Sequence, residues 1–452
     1  MARGGRAIAP GREARPEPGE SGKMPIVKST SRDADVLVVG AGPGGSTAAT
    51  FLARGGLRVA VAEREAFPRF KVGESLIPTC MDICKRLGVL DRMLAHGFQM
   101  KYGATFHDQE LGLEATFHFQ PGRPWPSYTL DVHRAEFDQI LLDHAASQPG
   151  VTVHQPATVE KVVFDGEGVT ARLSDAGGER ELRAAFLVDA SGRDAFLAAR
   201  QGQRKPRPGL GKVAIFAYFR GARRFPDRSE GNVRLYIFPE GWFWYIPLAR
   251  DETSVGCVLH QRVVRARRGT LQALFDEMVE RCHKIAENLR GSERVTELYA
   301  TSNFAYSIEP VVGDRFLCVG DAVAFVDPIF SPGVFLAMQS GELAAHAILR
   351  AFRADRFQAR RFRAYERAVR RGSRPFERFI ESYYDRGFLE VFMRPKNVFG
   401  TVPAVTGVLA GGTFGTLPKH LHLSLWFFHQ VVRFTRWKNL RRGVVLESRL
   451  DW

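Results

Sequence analysis

A short buried strand that runs directly into a glycine-rich turn constrains the fold of this chain more than any other feature. Residues 35–39 read DVLVV, and the following GAGPGGSTAATFLARGG has the small residues and apolar spacing of a helix. The next stretch, LRVAVAE, predicts a second strand. Together the three segments predict a βαβ unit, and therefore an α/β fold with a parallel sheet.

The turn between the first strand and the helix carries a dinucleotide-binding fingerprint. Gly40, Gly42 and Gly45 have the required spacing, and Glu63 follows about 20 residues later, at the end of the second strand. Gly40 would permit the tight turn, Gly42 would let the backbone approach a pyrophosphate, and Gly45 would allow close helix packing. The helix N-terminus offers amide donors to the anion, and Glu63 would accept a hydrogen bond from the adenosine ribose.

Two later apolar segments end in polar residues where a parallel sheet binds its ligands. AAFLVDASGRD runs into Asp189 and Gly192, and RFLCVGDAVAFVDP runs into Asp321. Ligands of open α/β sheets bind beyond the carboxyl ends of the strands. We therefore expect these three residues beside the cofactor.

This set of segments resembles the FAD-binding fold of the aromatic hydroxylases. VHRAEFD resembles that family's helix in which the arginine, here Arg134, approaches the cofactor. The resemblance implies FAD rather than NAD as the cofactor. It also implies that Asp321 hydrogen-bonds the ribityl chain.

The middle of the chain predicts a second sheet and the end of the chain predicts helices. Antiparallel strands that cover the substrate are expected at KVAIFAYFRG, NVRLYIFPEGWFWYIPL and TSVGCVL, and the pattern turns helical after about residue 335. We expect an FAD-binding Rossmann-like domain over 34–350, with the covering sheet inserted at about 201–300. A helical C-terminal region over 351–452 would follow.

Composition limits the location and the partners of the protein. Residues 1–33 are rich in Gly, Pro and Arg and lack the apolar stretch of a secretory signal, which predicts a disordered basic leader. There is no run of about 18 apolar residues, and the five cysteines show neither a metal-ligand spacing nor a disulfide framework. We expect a cytoplasmic protein without a metal site.

The net charge of +15 does not by itself indicate nucleic acid, because aromatic and basic residues do not interleave in a recognisable nucleic-acid-binding module. A general preference for acidic partners is expected instead. The arginine-rich residues 355–382 predict a solvated helix face, with binding to an acidic surface as the alternative.

The final stretch, LHLSLWFFHQVVRFTRWKNLRRG at 421–443, mixes aromatic and basic side chains. One interpretation is a helix that contacts a membrane surface. The other is a helix that docks against the catalytic domain. The residues that define the pattern are Trp426, Phe427, Phe428, Phe434, Trp437, Arg433, Arg436, Lys438, Arg441 and Arg442.

The segment GWFWYIP raises the question of what requires so many aromatic residues. On a strand, Trp242, Trp244 and Ile246 would face one side and Phe243 and Tyr245 the other. Either the segment belongs to an ordinary sheet core, or it forms a wall around a reactive centre.

Four segments together resemble the flavin-dependent halogenase family. REAFPRFKVGESLIPT matches the family's segment after the second strand, which implies that Glu74 and Ser75 lie near the cofactor. GFQMKYGATF places Lys101 at the family's essential lysine. Trp242 and Trp244 belong to the family's WxWxIP motif.

The fourth matching segment is the FxxPxxSxG motif, formed by Phe325, Pro328, Ser331 and Gly333. The resemblance implies that Pro328 and Gly333 contact the cofactor, and that Ser331 and Gly333 bind a halide. Pro332 departs from the family, whose loop supplies successive N–H groups to the halide. Proline has no N–H, and one donor lost from a dry site costs about 1–3 kcal/mol.

The resemblance also implies a mechanism. Reduced FAD, supplied by a separate flavin reductase, reacts with oxygen and chloride or bromide, and the resulting hypohalous acid travels to a separate chamber. There Lys101 delivers or activates the halogen, while the tryptophans keep the organic substrate away from the flavin. Partial burial beside Phe98 and Tyr102 would lower the pKa of Lys101 toward neutrality.

Phe330 stands where tryptophan halogenases carry a catalytic glutamate, so we expect a phenol or pyrrole substrate, which in such enzymes is often tethered to a carrier protein. Two alternatives stay open. One is an FAD-dependent monooxygenase, dehydrogenase or geranylgeranyl-reductase-like enzyme without halide chemistry. The other is a non-catalytic flavoprotein that docks on an acidic carrier or a membrane.

Overall fold

The protein combines a parallel sheet, a second, mostly antiparallel sheet and a set of C-terminal helices. A computed structural model describes residues 32–200, 203–206, 211–302, 305–325 and 327–442. The expected basic leader therefore lies outside the described residues, apart from its last two positions.

The strands follow the alternation of apolar segments along the chain. They are β1 (Ala34–Val39), β2 (Val59–Ala62), β3 (Gln99–Lys101), β4 (Gly103–Asp108), β5 (Leu113–His118), β6 (Thr129–Asp131), β7 (Val151–His154), β8 (Thr158–Phe164), β9 (Val169–Asp175), β10 (Gly178–Asp189), β11 (Arg204–Pro206), β12 (Lys212–Arg220), β13 (Val233–Phe238), β14 (Gly241–Pro247), β15 (Glu252–His260), β16 (Glu293–Arg294), β17 (Tyr299–Ser302), β18 (Tyr306–Ile308), β19 (Val312–Gly313), β20 (Phe316–Cys318) and β21 (Ala324–Phe325).

The helices include one crossover helix after β1 and a C-terminal group. They are α1 (Pro43–Arg54), α2 (Thr79–Leu87), α3 (Leu90–Ala95), α4 (Arg134–Ala146), α5 (Phe196–Arg200), α6 (Gln261–Ala266), α7 (Leu271–Arg281), α8 (His283–Asn288), α9 (Gly333–Arg353), α10 (Arg363–Tyr383), α11 (Arg386–Phe392), α12 (Thr401–Leu409) and α13 (Lys419–Arg441). None of the described helices is long and apolar enough to span a membrane.

The first sheet has the strand order β19-β20-β10-β1-β2-β7. β20, β10, β1, β2 and β7 pair in parallel, whereas β19 and the β8–β9 hairpin add antiparallel pairs. Every residue of β1 is buried, because α1 packs against one face of the strand and the β8–β9 hairpin packs against the other. The predicted βαβ unit is confirmed, and the carboxyl ends of β1, β10 and β20 meet at one edge.

The second sheet has the order β16-β12-β15-β14-β13-β4-β5, with β17 also on β12. It is antiparallel except where β13 runs parallel to β4. The expected segments form β12 to β15, but the sheet also recruits β4 and β5 from residues 103–118, because hydrogen bonding joins segments that are distant in the chain. The predicted limits of the inserted sheet, and the boundary near residue 350 that falls inside α9, stay predictions.

β14 divides its side chains between two cores as the two-residue repeat predicts. Trp242, Trp244 and Ile246 belong to the large core shared with the C-terminal helices. Phe243 and Tyr245 pack on the other face, against α7 and its neighbours. Both faces of the strand are therefore buried.

Candidate active site

A cavity of about 1140 Å³ opens at the edge where β1, β10 and β20 end. The glycine-rich turn, Glu63, the β10 and β20 turns and the start of α9 line one part of it. Trp242, Trp244 and Ile246 line the part against the second sheet, and we call these three residues the tryptophan wall. The volume exceeds the usual upper limit of about 1000 Å³ for pockets that hold drug-sized ligands.

The glycine-rich turn has the geometry that its sequence predicts. Gly40 has φ of +98°, and a Cβ there would collide with the carbonyl oxygen of Ala190. A Cβ on Gly45 would collide with the carbonyl oxygen of Gly40, so the helix can pack this closely only with glycine. At Gly42 an added Cβ would meet only the guanidinium of Arg69, 3.5 Å away, which leaves the backbone accessible from the cavity.

Glu63 lines the cavity with a carboxylate that the backbone holds in place. Its Oε2 accepts a hydrogen bond from the N–H of Ala41 at 2.8 Å, and its Oε1 accepts one from the N–H of Glu65 at 3.0 Å. The side chain is buried, and lone pairs beyond these two bonds remain for a ligand hydroxyl. This position suits the predicted contact with a ribose.

The residues after β10 and β20 differ in their relation to the cavity. Gly192 and Asp321 line it. Burial raises the pKa of Asp321 to about 6, although the positive charges of Arg193 and Arg134 oppose this shift. Asp189 does not line the cavity: its carboxylate accepts hydrogen bonds from Ser191 and from the N–H of Leu197, so it holds the turn instead.

Arg134 is the first residue of α4 and its side chain reaches the cavity. It donates to the backbone oxygen of Val72 at 2.9 Å and to both carboxylate oxygens of Asp138 at 2.9 Å. The segment after β2 therefore lies against α4, and it presents Gly73, Glu74 and Ser75 to the cavity.

These features fit FAD. The cavity is lined by the glycine-rich turn, the start of α4 and the start of α9. The glycine-rich turn leaves backbone amides accessible to a pyrophosphate. Glu63 would hold the adenosine ribose, and Asp321 would hold the ribityl chain. Pro328 and Gly333, which also line the cavity, would lie near the flavin ring.

The segment before α9 is a tight turn whose amides are partly occupied. Asp327 caps the turn by accepting a hydrogen bond from the N–H of Ile329. Ser331 has a left-handed conformation, with φ of +54°, and its N–H donates to the oxygen of Pro328 at 2.8 Å. Pro332 contributes no N–H, so of the predicted halide ligands Gly333 is the one whose amide is not committed to this turn. Gly333 begins α9, where the helix dipole favours an anion.

Each tryptophan of the wall is tied to a buried carboxylate through one hydroxyl group. The indole N–H of Trp244 donates to Ser254 Oγ at 3.1 Å, and Ser254 donates to Glu74 Oε1 at 3.0 Å. Tyr218 also donates to this carboxylate oxygen at 3.0 Å. The wall is thereby connected to the segment that carries Glu74 and Ser75.

The second tryptophan has an equivalent connection on the opposite side. Trp242 Nε1 donates to the hydroxyl of Tyr384 at 3.2 Å, and Tyr384 donates to Asp327 Oδ2 at 2.5 Å. Lys212 Nζ lies 3.6 Å from the same carboxylate oxygen and over the ring of Tyr384. Burial lowers the pKa of Lys212 to about 8, and the charge of Asp327 limits this shift.

Lys101 ends β3 and is only 1% exposed, so it is fully rather than partly buried. Its Nζ donates to Ser75 Oγ at 2.7 Å and to the oxygen of Leu76 at 2.8 Å. Burial lowers its pKa and the nearby Asp131 opposes the shift, in the direction predicted. Lys101 does not line the cavity, whereas its partner Ser75 does.

Asp327, Tyr384, Lys212 and Asp131 also belong to the site and were not predicted from the sequence. Asp327 is the second aspartate of the quoted segment RFLCVGDAVAFVDP, so its place directly before Pro328 of the FxxPxxSxG motif was a usable signal. The other three gave no local signal, because their partners lie far away in the chain. Phe330, which stands at the position of the family's glutamate, is buried and packs its ring against Phe106 and Tyr383.

The fold and the site together define an FAD-dependent oxidoreductase. Residues 33–373 match the family model described as an FAD binding domain, which covers the parallel sheet, the second sheet and α9. A solved structure described as a flavoprotein/dehydrogenase from Cytophaga hutchinsonii superimposes with a TM-score of 0.81 at 29% identity, covering 90% of this chain and 100% of that one.

Two curated relatives narrow the class to a family. The 1H-pyrrole-2-carbonyl-[peptidyl-carrier protein] chlorinase of Pseudomonas fluorescens is 33% identical, with 78% of this chain and 84% of the relative covered. The tryptophan 2-halogenase of Chondromyces crocatus is 36% identical over 69% of this chain, and the match spans 60% of that relative's length. The chain belongs to the flavin-dependent halogenase family.

Proposed function

We propose that this protein halogenates an aromatic substrate of the phenol or pyrrole type, using reduced FAD, oxygen and chloride or bromide. Supplied in reduced form, FAD would activate oxygen for the oxidation of halide. The observation that carries the proposal is the separation within the site: Trp242 and Trp244 line the cavity, whereas Lys101 lies outside it and donates a hydrogen bond to Ser75, which lines it.

The tryptophan wall would exclude the organic substrate from the flavin. Two indoles fixed by hydrogen bonds to Ser254 and Tyr384 cannot swing aside without leaving buried donors unsatisfied. An aromatic substrate on the Lys101 side would thus meet the oxidised halogen and not the oxygen activated in the cavity.

Lys101 would receive the halogen on the far side of Ser75. Burial favours its neutral amine, which can form an N–halogen bond with hypohalous acid and release water; as an ammonium it would hydrogen-bond the acid instead. Because Lys101 is enclosed, the side chains that cover it, among them Phe119 at 5.9 Å from Nζ to the ring centroid, must move before a substrate reaches it.

The halide would bind at the start of α9. The N–H of Gly333 belongs to the first turn of a 21-residue helix, whose N-terminus favours anions. Ser331 contributes its hydroxyl and not its amide, since the amide already donates to Pro328. This arrangement would hold halide with fewer backbone donors than the family's usual loop.

We further infer that the substrate is tethered to a carrier protein and that a separate reductase supplies the reduced flavin. The chlorinase relative is named for a pyrrole carried on a peptidyl-carrier protein. No second dinucleotide fingerprint occurs in the sequence, which favours an external source of reducing equivalents. Phe330 at the position of the glutamate argues against free tryptophan, although one relative is named a tryptophan 2-halogenase.

The test is a reductase-coupled reaction with FAD, oxygen and bromide against free phenols, free pyrroles and a pyrrole loaded on a carrier protein. The expected result is a product carrying bromine, detected by its isotope pattern, from the carrier-bound pyrrole. Lys101→Met should abolish this product while the protein keeps its flavin absorbance. Turnover that is the same with and without halide would contradict the proposal.

A further inference from the structure

Helix α13 carries apolar side chains on two opposite faces. The inward face packs against α11 and α12. Its buried residues recur at helical spacing and are Leu421, Ser424, Phe428, Val432 and Asn439. The outward face is not covered by any described part of the chain. Its exposed apolar residues, with their exposed fractions, are Leu423 (68%), Trp426 (58%), Phe434 (62%), Trp437 (47%) and Leu440 (63%).

These five exposed residues, which we call the apolar stripe, run along most of the helix. Trp426 follows Leu423 by three positions and Trp437 follows Phe434 by three, and eight positions separate the two pairs. At 3.6 residues per turn this spacing keeps all four on one side of a helix roughly 35 Å long. Single exposed apolar residues are ordinary, but a contiguous apolar surface marks a binding site.

An apolar groove of about 270 Å³ adjoins the stripe. Phe427 and Val431 of α13 form one wall, and Val402 and Val405 of α12 form another. The ring of Phe427 lies 5.0 Å from that of Phe399, which is 75% exposed, so apolar surface continues from the groove to the outside. The groove is close to the lower limit of about 300 Å³ for small-ligand pockets.

The charges around this surface are mostly basic, and Glu390, an acidic residue of the groove lining, is paired with Arg386. α13 contains no aspartate or glutamate. The exposed side chains of Arg394 and Lys396 belong to the lining of the groove. Arg436 is paired with Asp385, so we do not count it among the basic residues available to a ligand. The exposed basic residues on and after α13 are Lys419, Arg433, Lys438, Arg441 and Arg442.

We propose that the apolar stripe and the adjoining groove bind the surface of a membrane that contains anionic phospholipid. A helix that buries one face in its own protein and presents apolar residues with flanking Arg and Lys on the other lies in the membrane interface. Trp426 and Trp437 would sit at headgroup depth, the basic side chains would pair with phosphates, and the groove would take an acyl chain. The two exposed indoles, Trp426 and Trp437, favour a lipid surface over an acidic carrier protein, because tryptophan is enriched at membrane–water interfaces.

The test is co-sedimentation of the full-length, FAD-loaded protein with two kinds of vesicle, phosphatidylcholine alone and phosphatidylcholine with phosphatidylglycerol. Binding to the anionic vesicles is expected to be at least tenfold tighter and to weaken as salt rises. The combined variant Trp426→Ser, Phe434→Ser, Trp437→Ser should lose at least tenfold in affinity. Val163→Ser, which alters an exposed apolar residue of β8, is the matched control and should bind as the unaltered protein does.

Several outcomes would overturn the membrane proposal. One is equal binding to both kinds of vesicle, and another is unchanged binding by the triple variant with a normal circular dichroism spectrum. A dimer in light scattering that the triple variant abolishes, without vesicle binding, would assign the stripe to a second copy. Binding of an acidic carrier protein through the stripe, without vesicle binding, would assign it to that partner. Bromination of a soluble substrate should be unchanged in the triple variant, so the proposed function is tested separately.

Discussion

The indole nitrogen of Trp242 lies 3.2 Å from the hydroxyl oxygen of Tyr384, which directly follows α10 and lies 142 positions later in the chain. Through Tyr384 the wall is connected to Asp327, the residue that caps the turn before α9. The barrier and the predicted halide-binding turn are thus held by one buried group of hydrogen bonds. A change in the C-terminal helices can therefore alter the wall.

Removing the hydroxyl of Tyr384 should loosen the wall. Tyr384→Phe leaves the N–H of Trp242 without its acceptor and removes one of the donors to Asp327, which should lower the free energy of unfolding by about 2 kcal/mol. The share of reduced flavin that yields halogenated product should also fall. Both quantities are measured by urea unfolding and by product yield per NADH consumed, with Tyr102→Phe, at a half-buried tyrosine outside the network, as the control. Unchanged stability and yield would show that the network is dispensable.

Restoring an amide at position 332 should strengthen halide binding. Pro332 has φ of −80° and ψ of −14°, a conformation that alanine adopts readily, so Pro332→Ala adds an N–H without strain. One hydrogen bond to an ion contributes about 1.5–3 kcal/mol, which predicts a fall in the KM for bromide of roughly tenfold or more. Pro418→Ala, at the corresponding position before α13, is the control. An unaltered KM would mean that halide does not bind at the start of α9.

Asp131 should make folding stability depend on pH. Burial raises its pKa from 3.8 to about 7, against the opposing charge of Lys101 and a hydrogen bond with Ser75. Between pH 3.8 and about 7, the carboxyl group of Asp131 keeps its proton in the folded state and releases it in the unfolded chain. Relative to Asp131→Asn, the unaltered protein should lose stability as pH rises from about 4 to about 7, by at most about 1.4 kcal/mol per pH unit. Urea unfolding at several pH values measures this difference, and parallel curves for the two proteins would refute it.

Flavin retention should depend on the two carboxylates that line the cavity. Glu63→Ala or Asp321→Ala removes a charged hydrogen-bond acceptor for the ribose or the ribityl chain, which should weaken FAD binding about tenfold or more. The ratio of flavin to protein absorbance after gel filtration gives the result. Asp165→Ala, in the turn between β8 and β9, should retain its flavin. If the protein lacking both carboxylates keeps a full complement of FAD, the site assignment is wrong.

Features that depend on short sequence patterns were predictable from the sequence. The strand, the glycine spacing and Glu63 specify the βαβ turn, because Gly40 and Gly45 have conformations and contacts that only glycine permits. The alternation of residues in GWFWYIP predicted which aromatic side chains share a face, since side chains of a strand point to opposite sides in turn.

The directions of individual side chains and amides were not predictable in the same way. Asp189 was expected beside the cofactor from its place after a strand, but its carboxylate accepts hydrogen bonds from Ser191 and Leu197. Ser331 was expected to offer a halide ligand, but its amide donates within the turn. A strand end fixes the edge on which a residue lies, whereas the neighbouring donors fix the direction of its side chain.

The sequence by itself determined the parallel sheet, the dinucleotide-binding turn and the faces of β14, because these follow from backbone sterics and local periodicity, while the resemblance to a known family indicated FAD. Only the tertiary structure decided that Lys101 is enclosed behind Ser75 and that Trp242 is joined through Tyr384 to Asp327. Hydrogen bonds and burial between segments more than twenty residues apart arise from packing, and packing has no signature in a stretch of neighbouring residues.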